Sequence, residues 1–168
     1  MIVKILDVFS NFAEILKKEH NMAYDILLNL PEPWIVEQDT IQDESGCEIS
    51  HLEAHLQNRA KKRDDGMIDI YVGDMPEGES AEDQAFANYA ETVGLSEDDP
   101  EDFQPIVKFK FNNKNAFGFD AICEDDSPMR FLAQEVRKGV LAVVAFAAVD
   151  DRRLDELQQL LEKNFRVK

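Results

Sequence analysis

Apolar positions recur in steps of three and four from Phe9 to Leu30. Phe9, Phe12, Leu16, Ala23, Leu27 and Leu30 form one stripe, with Lys17, Lys18 and Glu19 mostly off it. That spacing predicts a helix over 9–30, capped by Asp7 or Ser10. Pro31 and Pro33 end it, because proline cannot continue a helix and pushes its predecessor toward extended geometry. Trp34 then heads an apolar patch with Ile35 and Val36 and is read as a packing residue, and 37–46 reads as a polar loop.

A second helix is expected from 46–50 to 62. Lys61, Lys62 and Arg63 suit its negative pole and Gly66 its stop. Ile68, Ile70 and Val72 alternate with Asp69 and Tyr71, a strand signature. After the turn "GDMPEGE", Ser80 opens an S-x-x-D capping pattern before a short helix with Phe86, Tyr89 and Val93 on one side and Gly94 as its C-terminal cap. "LSEDDPEDFQP" is an acidic connector.

Residues 106–123 read as a β-hairpin. Val107, Phe109 and Phe111 alternate with Lys108 and Lys110, and Phe117, Phe119, Ala121 and Cys123 alternate with Gly118 and Asp120. Ser127 and Pro128 then start a helix whose stripe is Met129, Leu132, Ala133 and Val136, ended by Gly139. "VLAVVAFAAV" is apolar at every position; its length, Gly139 and its valines assign a central strand buried on both faces. A last helix runs from about Asp151, with Leu154, Leu157, Leu160 and Leu161 inward. The expected fold is a single α+β domain over 1–168 with a mixed sheet of about four strands. It has a helical N-terminal part (1–63), an acidic segment (64–105) and a β-β-α-β-α core (106–168), with helices packed mainly on one face.

Composition narrows the function classes. The net charge is −17, and the excess is regional: no Lys or Arg lies between Arg63 and Lys108, where fourteen of the thirty-five acidic residues fall. Such a field repels nucleic acid and anionic lipid and attracts a basic protein surface or cations. No apolar run reaches the roughly 20 residues that span a bilayer. The first residues lack a long uncharged apolar stretch and a small-residue cleavage site, so no export signal is read and a cytoplasmic protein is expected. Cys47 and Cys123 are then expected to be reduced thiols. Cys123 is read as structural, since the three carboxylates after it would raise its pKa.

Two acidic runs follow apolar segments: Glu124, Asp125 and Asp126, then Asp150 and Asp151. If the flanking strands form a right-handed βαβ unit, they are parallel and both runs fall on one rim, where open α/β sheets bind ligands. Asp74 would join them if the 68–72 strand were parallel too. Such a rim could hold Mg²⁺ for a hydrolase or phosphoryl-transfer enzyme. The same residues are also ordinary helix caps, with Asp126 or Ser127 on one helix and Asp150 or Asp151 on the next. No P-loop, G-x-G-x-x-G or calcium-loop motif accompanies them.

Cys47, His51 and His55 recur every four residues and would share one face of a continuous helix, a possible transition-metal set. Leu52 breaks H-E-x-x-H, and Glu53 sits one place too early for H-x-x-E-H. Two starts compete for this helix. Ser45 with Glu48 keeps Cys47 on it, and Ser50 with Glu53 leaves Cys47 outside. The first functional expectation is a non-enzymatic interaction or regulatory module, without a cofactor, whose acidic surface meets a basic protein partner. Glu97, Asp98, Asp99, Glu101 and Asp102 are its candidate contacts. The alternative is the Mg²⁺-assisted enzyme, and a third reading is a structural or accessory subunit.

Overall fold

The computed structural model describes residues 2–3, 24–42, 46–94 and 105–168. Ten strands lie among them: β1 (Ile2–Val3), β2 (Ile26–Leu28), β3 (Ile35–Gln42), β4 (Glu48–Asn58), β5 (Arg63–Asp74), β6 (Val107–Phe111), β7 (Lys114–Cys123), β8 (Pro128–Arg137), β9 (Val140–Ala148) and β10 (Phe165–Val167). Two helices join them, α1 (Ala81–Thr92) and α2 (Asp151–Asn164). The main sheet runs β6-β7-β8-β9-β5-β4-β3 with every neighbour antiparallel, and β1 lies parallel beside the end of β7. β10 and β2 form a separate antiparallel pair.

The protein is therefore mostly β, and the expected α+β fold with a four-strand sheet is corrected. Two expected helices are strands. Over 48–58 the deciding period is two: Leu52 and Ala54 are fully buried on one face, while His51, Glu53 and His55 share the other. The Ser50 hydroxyl does not cap a helix; it accepts the Tyr24 amide at 2.7 Å. Over 128–137, Met129, Phe131 and Ala133 fill one core and Leu132 the other. A strand buried on both faces has no polar side, so a helical period fits it by accident. Pro128 is tolerated as the first residue of that strand. The 37–46 loop is in large part β3. Of the expected 9–30 helix, 9–23 lie outside the described residues and Ile26–Leu28 is extended.

Several expectations hold. Asn112 and Asn113, both at positive φ, turn β6 into β7 as a two-residue hairpin. Ser80 and Asp83 make the reciprocal capping box of α1, and Asp150 caps α2 by accepting the Arg153 amide at 2.8 Å. All nine residues of β9 are buried. Of Phe86, Tyr89 and Val93, expected on one side of α1, Tyr89 and Val93 pack against the core while Phe86 is exposed, and Ala81, Gln84, Ala85 and Asn88 are the buried residues.

β9 feeds two cores. Leu141, Val143, Ala145 and Ala147 face the layer covered by α1, while Ala142, Val144 and Phe146 face the layer covered by α2. The helices thus sit on opposite faces, not mainly on one. Each fully buried Leu or Phe in these layers contributes about 1.5–3 kcal/mol relative to exposure. No described helix is long and apolar enough to cross a membrane.

A candidate interaction surface on strands β3 to β5

The register of the β3-β4-β5 meander assembles a polar strip on the sheet face that α1 covers elsewhere. His51 stands opposite Asp39 on β3 and Tyr71 on β5, and Glu53 stands opposite Glu37 and Asp69. His51 is clamped at both nitrogens: Nδ1 lies 2.7 Å from Asp39 Oδ1 and Nε2 lies 2.5 Å from Asp69 Oδ1. Its ring stacks on Tyr71 with centroids 4.4 Å apart. His55 repeats the arrangement, with Nδ1 2.7 Å from Asp64 Oδ2 and Nε2 2.6 Å from Glu53 Oε1.

An ionised carboxylate only accepts hydrogen bonds, so where both carboxylates of a clamp are ionised the imidazole between them donates twice and is the cation. The electrostatics agree. Burial pulls His51 down, but hydrogen bonds and charge from Asp69 and Asp39 outweigh it, and its pKa lies above the ordinary value. Burial likewise opposes, and Asp64 and Glu53 together overcome, for His55. Asp69 is 4 % exposed, and burial raises its pKa while His51 opposes the rise. The Tyr71 phenol is pushed well above its usual range, by burial first and then by Asp69, Glu53 and Asp39.

The sequence-derived candidates are distributed differently. On a strand, His51 and His55 are about 13 Å apart, four residues at roughly 3.3 Å each, so they cannot share an ion. Cys47 is buried one residue before β4. Glu124, Asp125 and Asp126 form the β7–β8 turn. Asp125 accepts the Ser127 amide at 3.1 Å, and the hydrogen bond with the Ser127 side chain, the largest influence, holds its carboxyl below the usual range. Asp150 is a cap, and Asp151 lies in the first turn of α2.

β7 and β9 do run the same way, so both acidic runs fall at one end of the sheet, but β8 runs between them in place of a crossover helix. β5 is antiparallel to β9, which sends Asp74 to the opposite end, where it accepts the Tyr24 hydroxyl. Asp125 shares the lining of a cavity of about 190 Å³ with Asp64 and Asp65 of β5. Among the described residues no group of three or more His, Cys, Asp or Glu is arranged to hold a metal ion. Glu97, Asp98, Asp99, Glu101 and Asp102 lie outside the described residues.

Reading the sequence missed Asp39, Glu53, Asp64 and Asp69 as a set. The available signal was Asp69, the one charge in the apolar run "MIDIYV", two residues from an aromatic. A second feature went unseen. Arg130 grips Asp120 with two bonds of 2.8 and 2.9 Å and reaches Asp155 and Gln158 of α2 at 3.1 and 2.7 Å. Beside it a cleft of about 590 Å³ is lined by Tyr89, Pro105, Val107, Phe109 and Phe119 among others. Comparison with protein-family models, with curated proteins and with solved structures gave no match.

Proposed function

We propose that this chain is a non-enzymatic protein-interaction module that receives a basic surface of another protein on its acidic sheet face. The observation that supports it is the surplus of carboxylate on β3 to β5. Glu37, Asp39, Glu53, Asp64 and Asp69 surround two histidines, so the strip stays net negative even with both imidazoles protonated. Asp39 has 60 % of its side chain in water, available to a partner's Lys or Arg. Charge so placed steers encounter and selects partners more than it supplies raw affinity.

The test is parallel affinity capture with the wild type and a Glu37→Lys/Asp39→Lys/Glu53→Lys variant, washed at rising ionic strength. A basic partner retained by the wild type at low salt, released as salt rises and lost from a folded variant supports the reading. Partners retained equally by both chains overturn it.

The 590 Å³ cleft favours a second reading, a site for a small apolar ligand, since its size lies in the range of such pockets and apolar side chains supply most of its lining. Saturable binding of an apolar fluorescent dye, abolished by Val107→Asp, is its expected signature. A dye signal indifferent to that substitution removes it.

A further inference from the structure

Resting on the interaction reading above, we infer how the partner is held: a basic, extended segment adds to the sheet as a further strand beside β3. β3 is the last strand of the sheet, bonded to β4 on one side, and no other described strand forms a ladder with it; its contact with β2 is the Gln38 amide, which donates to the Ile26 carbonyl at 2.8 Å. Every residue from Ile35 to Thr40 is exposed. An edge strand in this state presents a row of backbone donors and acceptors that another strand can pair with.

The side chains specify which strand. Alternation puts Ile35, Glu37, Asp39 and Ile41 on one face of β3. A partner strand directly opposite would match them with apolar, basic, basic and apolar residues at every second position. Opposite charges across a strand pair stabilise it and like charges destabilise it. That rule also weighs the competing occupant, a second copy of this chain. Pairing β3 with its own copy sets Glu37 and Asp39 against carboxylates. Pairing it with the other edge strand, β6, offers Lys108 and Lys110 at the matching spacing. That arrangement, however, must bring together two bodies each of net charge −17. A short basic segment meets the same acidic pair without that repulsion.

The probe is the peptide Val-Thr-Lys-Thr-Lys-Thr-Val, blocked at both ends, titrated into the full chain and followed by amide chemical shifts and hydrogen exchange. Two controls accompany it. One replaces the central Thr by Pro, which keeps the charge and breaks the strand; the other replaces both Lys by Glu. The expected result is new protection of the Ile35–Gln42 amides and binding about tenfold tighter than either control. Glu37→Gln, which leaves the His51 clamp intact, should weaken binding about threefold.

Equal binding of the Lys and Pro peptides overturns strand addition while leaving an acidic docking surface in place. No binding of either peptide also overturns it, and the capture experiment then decides the broader reading alone. Protection of β3 that grows with protein concentration in the absence of peptide would assign the edge to a second copy.

Discussion

His51 Nε2 and Asp69 Oδ1 meet at 2.5 Å across neighbouring strands, with the carboxylate almost wholly out of water. A charge buried with its counter-charge is tolerable, and left alone it is not. His51→Ala is therefore expected to cost about 3 kcal/mol. The pair replacement His51→Leu/Asp69→Leu should cost much less than the sum of its two halves. Urea denaturation of the single and double variants measures the coupling.

The same pair sets a pH dependence. Both histidines have folded-state pKa values above the ordinary 6.5, so their contribution is fully present below that value and is lost as pH rises through the raised values. Asp69, also raised, adds a loss of the same sign that begins above its own unfolded value of 3.8. Stability is expected to fall as pH rises above the ordinary histidine value of 6.5. Denaturation midpoints on either side of that value check it, and nuclear magnetic resonance of the imidazoles should show both titrating late. A shallower fall in His51→Gln/His55→Gln, with only the Asp69 contribution left, would confirm the source.

Arg130 joins three elements through its fork, since Asp120 belongs to β7 and Asp155 and Gln158 to α2. Lysine cannot reproduce a bidentate grip. Arg130→Lys should lower stability by about 1 kcal/mol, while Asp155→Asn, at an exposed partner, should change it by under about 0.5 kcal/mol. Thermal melting of the two variants gives the comparison.

Gly118 lies where β7 crowds β8: a Cβ there would sit 2.0 Å from the Phe131 carbonyl oxygen. Backbone cannot step aside as a side-chain tip can, so Gly118→Ala is expected to cost about 3 kcal/mol. Gly66→Ala is a milder case, because its Cβ would meet the Trp34 ring at 2.7 Å and the ring can shift. The difference between their denaturation midpoints tests whether backbone or side chain sets the constraint.

Asp150 discriminates a cap from a metal ligand. Asn caps as well as Asp, so Asp150→Asn should leave stability near wild type and Asp150→Ala should cost about 1 kcal/mol. Cys123 completes the set. Burial first, and Asp125 second, push its thiol up to about 11. It should react with a disulfide reagent at neutral pH only as the chain unfolds, which stopped-flow absorbance would show.

What could be read from the residues depended on whether a segment had a polar side. The β6–β7 hairpin, α1, β9 and α2 were legible because asparagine turns, caps and a run of valines leave few alternatives. The Met129–Val136 segment was not, since a strand covered on both faces shows apolar residues at every spacing, including three and four. In β4 the alternation of Leu52, Ala54 and Leu56 with His51, Glu53 and His55 was present, but Ser50 and Glu53 imitated a helix start. The Cys47, His51, His55 ladder needed the other imitated start, Ser45 with Glu48, and with a rise of roughly 3.3 Å per residue it dissolves. The clamps around the histidines come from β3, β4 and β5, so no local spacing could announce them.

The wholly buried β9 has a consequence for how the molecule comes apart. Its odd and even residues belong to opposite hydrophobic layers, so neither layer can be peeled away without exposing the other half of the same ribbon. Loss of either helix should therefore propagate across the sheet as one event. Amide protons of Val140–Ala148 should then exchange only when the entire chain opens.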